Sequence, residues 1–282
     1  MRMLITGSGG MLGQDLAAAA GLAGFDAVGL RHAALDIIDQ PAVEAAISHS
    51  KPDVVVNCAA WTDVDGAEAE FAAAVAVNGT AAGNVARAAT AAGAWMVHIS
   101  SDYVFDGSQR EPYVESDPTA PLSAYGRSKL AGETEVAGGA PAAHTIVRSS
   151  WLFGTGGSCF PKTILRLAAE RDQLDVVDDQ VGCPTFTGHL AGALVELARR
   201  RPPGIVHLAG TGSCSWYEFA QEIVSRSGLD CQVRPVPSTA MPRPAPRPAY
   251  SVLGTERAAE ISLLPSWAEG LEEFMSSTVG SR

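Results

Sequence analysis

The chain has 282 residues, enough for one large domain or two unequal ones. Hydrophobic residues make up 46% and the formal net charge is −11, which argues against a nucleic-acid partner, because such a protein needs a basic stripe. No run approaches the ~18 apolar residues of a membrane span. The opening Met1-Arg2-Met3-Leu4-Ile5-Thr6-Gly7 is too short an apolar run for a secretory leader, so a cytoplasmic protein that meets no membrane is expected.

The first apolar run, 3–6, leads into Gly7-Ser8-Gly9-Gly10-Met11-Leu12-Gly13 and a helical stretch over 11–20. Glycines spaced Gly7-x-x-Gly10-x-x-Gly13 between strand and helix permit a tight turn, close approach to a pyrophosphate and close helix–strand packing. The helix N-terminus adds N–H donors and a positive dipole end. The second run, 27–30, ends in Leu30-Arg31-His32, without the acid that meets an adenosine ribose hydroxyl. Arg31 suits a ribose 2′-phosphate, which favours NADPH, with NADH possible; Asp36, beside Ile37, is placed near the adenine.

A helix over 41–48 precedes the third run, 54–57, whose unbroken valines suit a strand buried on both faces. It ends in Asn57-Cys58-Ala59-Ala60, small residues that leave room for a flat cofactor. Asp63-x-Asp65-Gly66 lacks the other ligands of a calcium loop and reads as acids favoured ahead of a helix, 68–75. A helix over 80–92 and strands over 96–100 and 145–148 follow. This alternation predicts an α/β fold, a Rossmann-like doubly wound parallel sheet.

After Arg148 glycine, proline and serine become frequent. A helix over 190–200 and a strand over 205–208 are expected to return to the sheet. The six prolines of 235–248 predict irregular chain, a loop closing over a ligand. The expected division is a dinucleotide-binding domain of 1–150 plus about 186–210, with a smaller domain of 151–185 and 211–282. The five cysteines include no C-x-x-C pair and read as reduced thiols; the six histidines show no metal-ligand spacing, so no metal is expected.

Three residues carry the chemistry. Tyr125 and Lys129 lie four apart, on one face of a helix. A phenol has an ordinary pKa of ~10 and needs a nearby positive charge to exchange protons near neutrality. Lys129 supplies that charge and can bond a nicotinamide ribose, while Ser101 can hold a carbonyl oxygen beside Tyr125. Asp102, directly after Ser101, touches substrate or fixes the turn.

These residues resemble the dTDP-4-dehydrorhamnose reductase family, a sugar-nucleotide branch of the extended short-chain dehydrogenases/reductases. The resemblance covers nearly the whole chain and rests on five segments. They are Asn57-Cys58-Ala59-Ala60-Trp61-Thr62-Asp63-Val64-Asp65, Ser100-Ser101-Asp102-Tyr103-Val104-Phe105-Asp106-Gly107, Tyr125-Gly126-Arg127-Ser128-Lys129-Leu130-Ala131-Gly132-Glu133, Arg148-Ser149-Ser150-Trp151 and Asp178-Asp179-Gln180-Val181-Gly182-Cys183-Pro184-Thr185.

The resemblance implies reduction of a dTDP-4-keto sugar with Tyr125 as proton donor and Lys129 as its partner. It implies that Ser101, Asp102 and Tyr103 face the sugar, that Trp151 lines its pocket and that Arg247 meets the diphosphate. Gly10, Met11, Leu12, Arg31, Asp36, Ile37, Ala60, Trp61 and Thr62 fall on its cofactor positions. Some relatives dimerise through glutamate-held magnesium, but the first helix here reads Gln14-Asp15, so a monomer or a metal-free homodimer is expected. A sibling reductase of antibiotic deoxysugars keeps every one of these motifs. A non-catalytic regulatory subunit on the same fold is the alternative of another class.

Overall fold

A computed structural model describes residues 1–279. The chain opens with strands β1 (Arg2–Thr6), β2 (Asp26–Leu30), β3 (Val54–Asn57), β4 (Trp95–Ser101) and β5 (His144–Ser149). Short strands β6 (Leu152–Phe153), β7 (Gln173–Val177), β8 (Val181–Gly182) and β9 (Thr185–Phe186) precede β10 (Gly204–His207), β11 (Cys214–Ser215) and β12 (Gln232–Val236). The main sheet runs β10-β5-β4-β3-β1-β2, all parallel. The strand order reverses between β1 and β3, and ligands bind at the carboxyl ends beside such a reversal.

Helices α1 (Met11–Leu22), α2 (Gln40–Ser50), α3 (Gly66–Ala69), α4 (Phe71–Val75), α5 (Ala82–Ala91) and α6 (Ala124–Gly139) lie in the first half. Helices α7 (Phe160–Glu170), α8 (Thr187–Arg200), α9 (Trp216–Ser227) and α10 (Trp267–Val279) follow. Leu12, Leu16 and Ala20 of α1 and Leu190, Leu194 and Ala198 of α8 pack on Met3, Ile5, Val54 and Val56. Val43 and Ile47, Val85 and Ala89, and Val136 bring α2, α5 and α6 to the opposite face. A separate core, with Phe153, Leu174, Phe219, Ile223, Leu271 and Phe274, joins α7, α9 and α10. Among the described residues no helix is long and apolar enough to cross a membrane.

Several expectations about elements need correction. The helix over 68–75 breaks at Glu70, the cap between α3 and α4. The next helix begins earlier than residue 80, because a π-helical stretch, Ala76–Ala81, joins α4 to α5. Nothing in the periodicity announces one extra residue per turn, but π-turns recur at functional sites. The proline-rich segment is largely irregular, as expected, apart from its first two residues and a 3-10 turn over Ser238–Ala240. Pro235 and Val236 belong to β12, opposite Val176 and Val177 of β7. A two-stranded pair exposes an edge where the missing proline N–H costs little. The two-residue strands β6, β8 and β9 are too short to carry a periodic signal.

Candidate active site

The glycine turn and the end of β3 meet at the strand-order reversal. Gly7 has φ +67°, and a Cβ there would lie 2.5 Å from the Ala59 nitrogen. A Cβ on Gly13 would lie 2.4 Å from the Gly7 carbonyl, so α1 sits directly against the turn. Both positions exclude any larger residue. Gly10 is the N-cap of α1 and is exposed, Met11 is half-buried beneath Gly154 and Gly157, and Leu12 lies in the core.

Arg31, at the end of β2, is exposed and lays its aliphatic stem along Gly9, 3.3 Å from a Cβ placed there. The Ser8 amide donates to the Leu30 carbonyl at 3.1 Å, which binds the turn to the same strand end. Asp36 is exposed and uses one carboxylate oxygen to accept the Ile38 amide at 3.0 Å. Ile37 is buried in the core with only 4% of its surface exposed, so its side chain offers a ligand nothing.

Cys58, Ala59, Ala60 and Trp61 are half-buried and Thr62 is exposed. Asn78, from the π-turn, clamps Trp61: its Oδ1 accepts the Trp61 amide at 2.9 Å and its Nδ2 donates to the Trp61 carbonyl at 3.1 Å. The same Nδ2 reaches Ser128 Oγ on α6 at 2.9 Å. Sequence reading missed Asn78, whose inward aim depends on the π-turn.

At the carboxyl end of β4 the Ser101 hydroxyl lies beside the Tyr125 phenol and acts to lower its pKa. Ser101 Oγ also accepts the Tyr103 amide at 3.2 Å and donates to Asp102 Oδ1 at 3.0 Å. Helix α6 holds Tyr125 in place. Ser123 caps it by accepting the Gly126 amide at 3.1 Å, and Gly126 packs so close to the Tyr103 carbonyl that no side chain fits. The Tyr103 ring stands edge-on to Tyr125 at 5.9 Å.

Lys129 departs from expectation. Its Nζ is buried and donates to the Ile99 carbonyl at 2.7 Å. Burial pulls its pKa down to about 8, against the opposing pull of Glu133 and Cys58. The Tyr125 phenol is not lowered but pushed up to about 12, by burial and by the Asp102 charge, with Ser101 acting against both. The ammonium faces the β4 backbone, so its field does not hold the phenol down.

Asp102 is almost fully buried and accepts from three hydroxyls: Ser101, Ser150 at 3.2 Å, and Ser251. Trp151 is half-buried with φ +45°, stacked on Trp216 at 3.5 Å and wedged against Gly182. Trp216 was missed, because a tryptophan opening a helix reads as core. Arg247 forks onto Asp65, with Nη1 to Oδ1 and Nη2 to Oδ2 both at 3.0 Å, and it neighbours the Tyr103 phenol. Arg243 reaches the same carboxylate at 3.3 Å, and these partners hold Asp65 down at about 2. The two acids ahead of the helix therefore differ: Asp63 caps it by accepting the Gly66 amide at 2.9 Å, whereas Asp65 pairs with arginines.

A parallel sheet whose order reverses at a glycine turn, with Ser, Tyr and Lys at its carboxyl edge, defines the extended short-chain dehydrogenase/reductase class. Residues 1–279 match the family model described as RmlD substrate binding domain. The chain belongs to that family. It is 44% identical to the dTDP-4-dehydrorhamnose reductase of Mycolicibacterium smegmatis, over 99% of this chain and 86% of that one. It is also 44% identical to a probable dTDP-4,6-dihydroxy-2-methyloxan-3-one 4-ketoreductase of Streptomyces antibioticus, over 97% of this chain and 94% of that one. The crystal structure of dTDP-4-dehydrorhamnose reductase from Bacillus anthracis in complex with NADP superposes with a TM-score of 0.95 at 38% identity, covering 98% of this chain and 99% of that one.

Proposed function

We propose that this protein reduces the 4-keto group of dTDP-4-dehydro-L-rhamnose to dTDP-L-rhamnose with NADPH. The observation that carries the reading is the Ser101–Tyr125 hydroxyl pair, at the edge of a cradle that only glycine can line. Cradle and pair are neighbours: Gly7 packs on Cys58, and Cys58 lies within the electrostatic reach of Lys129.

The residues present suit a dinucleotide. Gly7 and Gly13 leave backbone room for a pyrophosphate beside the α1 N-terminus. Arg31, laid along Gly9, would meet a ribose 2′-phosphate, and Lys129, with three donors, would share its ammonium between the Ile99 carbonyl and the nicotinamide ribose. Bound there, NADPH supplies the hydride for the carbonyl carbon. Tyr125 gives its proton to the carbonyl oxygen, and its raised pKa keeps that proton in place at neutral pH. Trp151 and Trp216 form an apolar wall for the sugar nucleotide, and Arg247, held by Asp65, faces its diphosphate. In this reading the core joining α7, α9 and α10 belongs to a smaller substrate-binding domain.

A sibling dTDP-4-keto sugar is the second reading, because Ser101, Tyr125 and Lys129 address the ketone and not the substituents that distinguish such sugars. The test is NADPH oxidation, followed by absorbance, against a panel of dTDP-4-keto sugars with no partner protein added. Fastest turnover with dTDP-4-dehydro-L-rhamnose is expected. Oxidation with none of them overturns the reading in favour of a non-catalytic subunit.

Cofactor choice has its own test. Arg31→Ala is expected to weaken NADPH roughly tenfold, the scale of one charge-assisted bond, and to leave NADH almost unchanged. Equal losses for the two cofactors in a fluorescence titration rule out a 2′-phosphate contact.

A further inference from the structure

Ser101 has one proton, and the structure shows where it goes. Its Oγ receives the Tyr103 amide at 3.2 Å and donates to Asp102 Oδ1 at 3.0 Å. A carboxylate outcompetes a neutral phenol for a hydroxyl proton, since charge-assisted bonds are about twice as strong. The Ser101 proton, which would lower the phenol pKa if it reached the Tyr125 oxygen, is instead drawn to Asp102. In this state Ser101 has no proton left for a substrate carbonyl.

We propose that Asp102 is a positioning residue that sets the direction of the Ser101 hydrogen bond: ionised, it holds the Ser101 proton on its own carboxylate, and protonated, it frees Ser101 to donate to the substrate carbonyl. The change takes up one proton from water and breaks no covalent bond. The inference rests on the reductase reading of Ser101 and Tyr125.

The surroundings of Asp102 are built for a carboxyl that changes state. It is 2% exposed and lies where three segments converge. Ser101 comes from the end of β4, and Ser150 from just past β5, at 3.2 Å from Oδ2. Ser251 comes from the C-terminal chain that lies along β8 through its own amide, 2.8 Å from the Val181 carbonyl. Hydroxyls serve either state, because each can donate or accept. No cation bonds Asp102 among the described residues; the titratable groups around it are Tyr103, Tyr125 and Cys183, each pushed up by its charge. Arg247 neighbours the Tyr103 phenol and is not among the groups that shift Asp102. Burial outweighs the three hydroxyl bonds and raises the Asp102 pKa to about 6. Protonating Asp102 also removes one of the causes that hold Tyr125 up, which makes the phenol a readier donor.

The sign follows directly. As pH falls through about 6, Asp102 becomes neutral and hydride transfer speeds up. Lys129 accounts for a separate change near pH 8. Single-turnover hydride transfer, followed by stopped flow across pH, is expected to rise about tenfold through the lower range, the value of one hydrogen bond. Asp102→Asn and Ser101→Ala are each expected to lose that limb and to keep the one near 8. A limb that survives in Ser101→Ala shows that Asp102 acts by another route and overturns the proposal, as does a flat wild-type profile.

A second measurement needs no substrate. In infrared difference titration of the wild-type protein, a protonated carboxyl band is expected to grow in near pH 6, to vanish in Asp102→Asn and to shift in frequency in Ser101→Ala. An unshifted band in Ser101→Ala refutes the Ser101–Asp102 coupling. If the wild-type protein reduces no dTDP-4-keto sugar at any pH, the reaction reading fails, and the infrared titration still decides the coupling.

Discussion

Replacing Tyr125 by phenylalanine lowers turnover by at least ~10²-fold, the usual scale of general acid–base catalysis, while NADPH affinity stays within a few-fold. The ring keeps its edge-on contact with Tyr103 at 5.9 Å, so the α6 N-terminus has no reason to move. Only the proton is lost. Ser101 then faces a ring edge in place of a phenol, and its own proton stays committed to Asp102 at 3.0 Å. Steady-state kinetics with a dTDP-4-keto sugar give the answer, and turnover near that of the wild-type protein removes Tyr125 from the mechanism.

The second large effect concerns stability. Arg148 and Glu133 form an ion pair at 2.7 Å whose side chains are only 3% and 5% exposed. Glu133 takes Arg148 through both nitrogens, at 2.7 and 2.8 Å, and accepts the Ser100 hydroxyl at 2.6 Å. The guanidinium also lies 5.0 Å over the Phe105 ring. Glu133→Leu strands a buried cation and is expected to cost about 3–5 kcal/mol in chemical denaturation. The double variant Glu133→Leu, Arg148→Met is expected to recover most of the loss, because two apolar groups leave no charge unpaired. A loss below about 1 kcal/mol in the single variant shows that water reaches the pair.

β1, β3 and β4 were readable because parallel strands buried on both faces are continuous apolar runs, and Val54, Val55 and Val56 are all fully buried. Gly7 and Gly13 were readable because a strand-to-helix turn over a pyrophosphate leaves no alternative residue. Ser101, Tyr125 and Lys129 were readable by spacing and resemblance, and Ser101 and Tyr125 do meet. The aim of Lys129 was not readable, because helical spacing places Nζ near the phenol and only the tertiary fold offers the Ile99 carbonyl at 2.7 Å. Asn78, Trp216, Ser150 and Ser251 share that difficulty. Each reaches the site from a distant segment, and a polar or aromatic residue with a long-range partner leaves no local period. Asp65 was visible as an acid ahead of a helix, but its arginines lie 178 and 182 residues further along the chain.

One backbone angle shows what holds the aromatic wall in shape. Trp151 sits at φ +45°, a conformation that costs a side-chain-bearing residue roughly 1–2 kcal/mol. Glycine would relieve it, yet deleting a packed tryptophan costs more, ~3–5 kcal/mol, so stacking on Trp216 keeps the backbone cocked. The Trp216 stack thus holds the strained angle in place, and the aromatic wall of the pocket is fixed by packing against itself.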